Sequence, residues 1–503
     1  MKKPVRFFLL LAAVLALALS ALFVGCSHDD PCVLSIEQTA QGEDGTVFTV
    51  TYSDGSTSEF TVRNGEDGED VSIQDVYEYY KQATGEDISY ADFLELYLDL
   101  TTDNAAAIGQ SLLSAVNVYS EFVVASEDGG AWIPGFPHWG SGGTSTRNSA
   151  ALYTGAGVIW SMDTAEGGYS YIVTNYHVVY NSAAAAVNGE TSETGGGQYI
   201  ARKLHVYLYG SGQTPGYLDE NGDNIADTDE DGYTKYAYGS SAVACEYVGG
   251  SVSCDVAVLR AETADILAVN EDACPVDVAE DYYVGESVYT IGNPEGDGFS
   301  VTEGIISVDN EYITLNIDGT ERSYRSIRTD VALYSGNSGG GLFNNRGQLV
   351  GLSNAGKGDE ENINYAVPLP VVRGAVENIL HYHRAEGTLG VTARRLTLGF
   401  TGTVQNSKYV YDAATGRGRI VETVQVSSVS ASSIADGMGI EAGDVLTHLV
   451  VNGQAYAIER DFDIYDILLS VFAGDEISFR YIRGGTAGEG AAYTVEAGAP
   501  QAV

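Results

Sequence analysis

Leu333-Tyr334-Ser335-Gly336-Asn337-Ser338-Gly339-Gly340-Gly341-Leu342-Phe343 sets one serine among glycines, deep in a chain of 503 residues. Glycine lacks a Cβ and reaches positive φ, so the backbone around Ser338 can take a tight path on which two N–H groups face one point. A serine there becomes a nucleophile only if a base and a group that orients the base arrive from elsewhere. Two upstream fragments supply those residue types. In Tyr171-Ile172-Val173-Thr174-Asn175-Tyr176-His177-Val178-Val179 an apolar strand ends just before a histidine. In Gly250-Ser251-Val252-Ser253-Cys254-Asp255-Val256-Ala257-Val258-Leu259 an aspartate immediately precedes an apolar strand, which lets its carboxylate point inward. The segment that contains all three, from about Ala107 to His383, consists of short Val/Ile/Tyr-rich runs punctuated by glycine, the pattern of an all-β barrel or sandwich.

The order His177, Asp255, Ser338 is that of the chymotrypsin-type triad, not of subtilisins or α/β-hydrolases. With T-N-x-H-V at Thr174 to Val178, D-V-A-V-L at Asp255 to Leu259 and G-N-S-G-G at Gly336 to Gly340, the chain resembles the trypsin-like serine peptidases, nearest to the HtrA/Deg group. Further matches are YTIGNPEG (Tyr289 to Gly296), VTEGIISV (Val301 to Val308), RTDVAL (Arg328 to Leu333) and INYAVPL (Ile363 to Leu369). The similarity runs from about Ala107 to Ala497. It implies a mainly β fold, a trypsin-like double six-stranded β-barrel, followed by a PDZ domain. It also implies Ser338 as nucleophile, His177 as general base, Asp255 as the residue fixing the imidazole tautomer, and the N–H groups of Gly336 and Ser338 as an oxyanion hole. That chemistry needs no cofactor.

Ala332, six residues before Ser338, stands where a trypsin-like pocket would carry a carboxylate, so cleavage after Arg or Lys is disfavoured. Asn364 and Tyr365 should line another pocket wall, and the resemblance implies small or medium aliphatic residues at the cleavage site. GIEAGDVLTHLVVNG (Gly439 to Gly453) resembles the signature of PDZ domains fused to such peptidases. PDZ domains capture a C-terminus by strand addition. The loop holding its carboxylate is expected at Leu389-Gly390-Val391; Leu398-Gly399-Phe400 resembles the motif too but lies far into the domain. A helix from Asp461 to Phe472 would form the groove's other wall.

The rest of the chain bounds where this chemistry takes place. A formal charge of −44 repels phosphate backbones and anionic lipid surfaces and argues against a nucleic-acid partner. Lys2, Lys3 and Arg6 precede an uncharged stretch ending at Gly25-Cys26, the layout of an export signal over residues 1–25 whose cleavage would leave Cys26 as a lipidated N-terminus and membrane tether. Residues 26–70 alternate apolar and polar positions between Asp-Gly turns, a small β-meander; residues 71–106 read as a helical spacer. The peptidase domain is expected over 107–384 and the PDZ domain over 385–498. Cys32, Cys245, Cys254 and Cys274 are an even number in an exported chain, and Cys245 with Cys254, flanking a hairpin at EYVGGSVS, is the first pairing to consider, free thiols being the alternative.

His177 and Asp255 are separated more widely than in the group, which implies insertions around Asn181 to Gln198 and Gly210 to Gly239. The second holds Asp219, Asn221, Asp223, Asp227 and Glu230 at EF-hand-like spacing, with Asn224 where glycine is usual: either a solvated acidic loop or a structural calcium site. The reading that follows is a membrane-tethered, extracytoplasmic serine endopeptidase acting on unfolded or partly folded polypeptides, in protein quality control. The resemblance also implies C-terminal peptides as PDZ ligands and a homo-oligomer, often a trimer. The alternatives are an inactive PDZ-containing binding or chaperone protein and a surface adhesin.

Overall fold

The computed structural model describes the backbone of residues 33–42, 45–52 and 57–63, Tyr77 and Lys81, and residues 104–126, 147–223, 225–357, 360–412 and 417–503. The export signal, Cys26, Cys32 and nearly all of the helical spacer lie outside the described residues. Among the described residues no helix is long and apolar enough to cross a membrane.

The chain divides into two compact units, 1–103 and 104–503. In the first, the alternating stretch forms three strands, Val33–Gly42, Gly45–Tyr52 and Thr57–Arg63, paired antiparallel in sequence order. Tyr77 and Lys81, one helical turn apart, stack ammonium over ring at 5.3 Å.

The second unit opens with a helix, Ala105–Ser111, and two barrels. Around the first run Val256–Glu262, Tyr169–Thr174, Arg147–Met162, Ala115–Ser126, Lys203–Leu208 and Val243–Ser251, which closes back on Val256–Glu262. The second is also closed: Ser287–Gly292, Ser300–Asn316, Glu321–Thr329, Glu360–Pro368, Leu349–Lys357 and Gly341–Asn344. Closure leaves no unpaired edge, and inward positions such as Val116, Ile159, Ile172 and Leu259 in one barrel and Ile291, Ile327, Leu342 and Leu352 in the other are fully buried. The double six-stranded barrel expected from the resemblance is therefore present.

The helix Leu369–Glu386 ends at Gly387, whose φ of 66° supplies the left-handed cap. Beyond it lies a separate core around Leu449, Val471, Ile477 and Phe479. Its sheet runs Phe400–Asp412, Arg417–Val429, Val445–Val451, Glu476–Arg483 and Thr486–Glu489, with short helices Ile434–Gly437 and Asp463–Leu468. The helix is shorter than the run Asp461 to Phe472 that its spacing suggests.

Two expectations are corrected. Val391–Thr392 is not part of this sheet; it pairs parallel with Gly249 and Gly250 of the first barrel. The Gly390 N–H donates to the Tyr247 carbonyl (3.3 Å), and Val391 is buried in the peptidase core. Leu389-Gly390-Val391 thus belongs to the barrels. Leu398-Gly399 instead leads directly into Phe400–Asp412, the edge strand of the C-terminal sheet, with Gly399 at φ +80°.

Cys245 and Cys254 form no disulfide, and Cys274 is also free. Val243–Ser251 is one continuous strand, so Cys245 points into the first barrel's core, whereas Cys254 lies in the turn beyond it and belongs to the apolar cluster that holds Ile291, Ile327 and Leu342 of the second barrel. The acidic loop turns several of its side-chain oxygens onto its own amides. Asp219 Oδ1 accepts the Gly222 and Asp223 N–H groups, Asn221 and Asp223 cap their own loop, and Asp227 accepts from Glu220. Among the described residues no three His, Cys, Asp or Glu side chains gather as a metal site.

Candidate active site

His177 sits on a one-turn helix, Tyr176–Val179, that begins where the strand Tyr169–Thr174 leaves the first barrel. Val178 and Val179 are buried and fix the turn to the barrel. Val178 packs so closely on Gly155 that a Cβ there would lie 2.6 Å from its Cγ1.

Asp255 closes the turn between two neighbouring strands with φ +52°, a left-handed conformation that aspartate tolerates better than most residues. It is fully buried. Its Oδ2 accepts from His177 Nδ1 at 2.8 Å and its Oδ1 from the His177 backbone N–H at 3.0 Å. The Asn175 side chain donates to the Asp255 main-chain carbonyl (2.9 Å), so His177 holds the carboxylate while Asn175 holds the backbone that carries it. A proton on Nδ1 leaves Nε2 as the acceptor. Burial on its own pushes the imidazole pKa down, but the charge of Asp255 and its hydrogen bond outweigh this, and His177 titrates above its ordinary value. The imidazole keeps 31% exposure, open to a reactant.

The Ser338 segment lies against the strand end that carries His177. The Ser338 carbonyl accepts the Ala156 N–H (2.9 Å), and a Cβ at Gly339, φ +84°, would lie 2.1 Å from Thr174 Oγ1 and 2.3 Å from the Ala156 carbonyl oxygen. Only glycine permits that approach. The Ser338 hydroxyl itself donates to the Asn354 carbonyl at 3.1 Å, not to His177. Gly336 has φ +100°, and a Cβ on it would fall 2.0 Å from the Asn293 carbonyl oxygen. Among the described residues, neither the Gly336 nor the Ser338 N–H has a hydrogen-bond acceptor.

Of the expected pocket residues, Asn364 meets the segment that carries Ala332, while Tyr365 bonds elsewhere. Asn364 Nδ2 donates to the carbonyl of Val331, next to Ala332, at 2.9 Å. The Ala332 carbonyl accepts from Thr302, and Tyr365 is buried with its hydroxyl bonded to Glu311 (3.3 Å), which pairs with Arg328 (3.0 Å). Sequence reasoning assigned no role to Asn175, Asn354, Asn293 or Glu295. The signal for the last two was present in the Tyr289 to Gly296 motif, where Asn-Pro-Glu-Gly is a turn sequence.

The chain is similar to known proteins over the same region. Residues 155–352 match the family described as trypsin-like peptidase domain. The serine protease Do-like HtrA of Lactococcus lactis subsp. lactis is 26% identical over 77% of this chain and 81% of its own length. The periplasmic serine endoprotease DegP of Salmonella typhimurium is 28% identical over 63% of this chain and 51% of its own. Among solved structures, the HtrA-type protease AlgW with decapeptide aligns over 78% of this chain and 98% of its own, at 21% identity and a TM-score of 0.42. The chain is a homologue of the HtrA/DegP serine proteases, built around a trypsin-like peptidase domain.

Proposed function

We propose that the protein is an extracytoplasmic serine endopeptidase that cleaves unfolded or partly folded polypeptides through an acyl-enzyme. The observation that carries this reading is the buried Asp255 carboxylate on His177 Nδ1, at 2.8 Å, beside a serine loop with free amides. The Ser338 hydroxyl leaves the Asn354 carbonyl by side-chain rotation, gives its proton to His177 Nε2 and attacks the scissile carbonyl. The Gly336 and Ser338 N–H groups then receive the negative oxygen. The imidazolium, held by Asp255, returns the proton to the leaving amine, and water repeats the sequence to free the enzyme.

Relatives named periplasmic support an exported location, with Cys26 as the lipid tether. The C-terminal module is read as a PDZ domain taking C-terminal peptides along its edge strand Phe400–Asp412. Leu398-Gly399-Phe400 serves as its carboxylate loop in place of Leu389-Gly390-Val391.

A fluorophosphonate probe should label wild-type protein once, on the peptide containing Ser338, and reduced, unfolded casein should be degraded faster than a folded protein. Absence of labelling, or labelling elsewhere, overturns the reading. The general base must be neutral, and Asp255 raises the His177 pKa. Peptide hydrolysis should therefore rise with pH through a midpoint above about 6.5. A kcat/KM profile with a midpoint below that value contradicts the geometry.

A further inference from the structure

The turn Asn293-Pro294-Glu295-Gly296 is closed by the Gly296 N–H donating to the Asn293 carbonyl at 3.1 Å. Glu295 is its third residue, at φ 56° and ψ 9°. Those angles are those of the third residue of a type II turn, a place that favours glycine or asparagine and has Pro commonly before it. Glutamate there is strained by roughly 1–2 kcal/mol. Its side chain is exposed, so side-chain packing does not account for the strain.

The backbone does account for it. The Glu295 N–H donates to the Ser335 carbonyl at 2.6 Å, and the Asn293 N–H donates to the Gly336 carbonyl at 3.3 Å. Type I and type II turns differ by a flip of the central peptide, which reverses the direction of the N–H at the third residue. In a trans peptide, C=O and N–H point opposite ways. Anchoring the Ser335 oxygen therefore turns the Gly336 N–H away from the turn, toward the side where no protein acceptor meets it.

We propose that Glu295 is a positioning residue: its left-handed backbone aims its N–H at the Ser335 carbonyl and so holds the Gly336 N–H where the substrate oxyanion forms. This deepens the peptidase reading and rests on it. Relaxing the turn to type I lets the Ser335–Gly336 peptide rotate and removes one oxyanion donor while leaving Ser338, His177 and the substrate pocket in place.

The test compares Glu295→Val, whose branched Cβ disfavours positive φ, with Glu295→Gly and Glu295→Asn, which accept it. Full-length proteins are assayed with a peptide substrate, each rate divided by the concentration of sites titrated with a fluorophosphonate. Glu295→Val should lower kcat per titrated site by roughly 10- to 100-fold with KM changed less than about two-fold, and bind a peptide aldehyde, which forms an oxyanion, correspondingly more weakly. Glu295→Gly and Glu295→Asn should match wild type. A valine variant whose kcat per titrated site is unchanged, with or without a lower titratable fraction, overturns the proposal, because a merely structural role moves only that fraction. So does a glycine variant as slow as valine. A wild type that hydrolyses nothing sinks the peptidase reading itself and is distinguished by that control.

Discussion

Ser338→Ala is expected to lower kcat for peptide hydrolysis by about six orders of magnitude, to a residual rate supported by binding and the oxyanion donors alone. The substitution removes one oxygen and little else. The Ser338 hydroxyl makes a single hydrogen bond, to the Asn354 carbonyl at 3.1 Å, worth roughly 1 kcal/mol. The glycines that set the loop remain, and the loop stays anchored through the Ala156 N–H on the Ser338 carbonyl and the Ser353 carbonyl on the Gly339 N–H, at 2.9 and 2.8 Å. Thermal unfolding should therefore shift by only a few degrees, and substrate should still bind with a KM-like dissociation constant near that of wild type. Steady-state kinetics, a melting curve and binding of a labelled peptide to the variant separate these quantities. Retention of more than about 1% of kcat in the folded variant would mean that another group attacks the substrate.

The candidate constellation is legible in the sequence because its demands fall on residue types in fixed local settings. A histidine just past a strand, an aspartate just before one and a serine among glycines each announce a backbone position, and the barrels join those positions. What was not readable depends on non-local approach. Gly249 and Gly250 look like a turn between Cys245 and Cys254, yet both lie inside one strand. Their missing side chains serve a different purpose: a Cβ on Gly249 would stand 2.3 Å from the Val391 carbonyl oxygen. That approach draws Leu389-Gly390-Val391 into the first barrel and leaves the second Leu-Gly pair to open the C-terminal sheet. No local pattern distinguishes two copies of such a short motif. The acidic loop stays open between its two readings in the sequence for a related reason. Spacing can place oxygens at EF-hand intervals, but whether they converge on an ion or cap their own amides is decided by the backbone path, and here they cap. The turn at Glu295 was hidden because its importance lies in an N–H direction, which no side chain encodes.

Asp255→Asn should cost about 10⁴-fold in kcat with the fold preserved. Asparagine shares aspartate's tolerance for positive φ, so the φ of +52° at this buried position survives the exchange, as does the backbone bond from Asn175 to its carbonyl. The oxygen that takes the His177 backbone N–H can also be kept by the amide, because one carbonyl oxygen remains. The second oxygen becomes an NH₂ facing Nδ1, two donors in opposition, and the imidazole must present a lone pair there. The proton then moves to Nε2, the nitrogen that has to accept from Ser338, and the base is lost in the very species that predominates at neutral pH. The same exchange removes the charge that holds the His177 pKa up while burial continues to push it down, so the pKa falls. Two readings follow from one variant: a kcat loss near 10⁴ at pH 7, and a midpoint in the pH profile displaced to lower pH. The stability consequence has its own sign. A histidine whose folded pKa is raised stabilises the fold below its unfolded pKa and loses that contribution as pH rises through the folded value, so the variant should be destabilised relative to wild type at pH 5 and less so at pH 9. If Asp255→Asn instead leaves kcat within ten-fold and the pH midpoint unmoved, the carboxylate does not act on the imidazole, and its 2.8 Å contact is structural only.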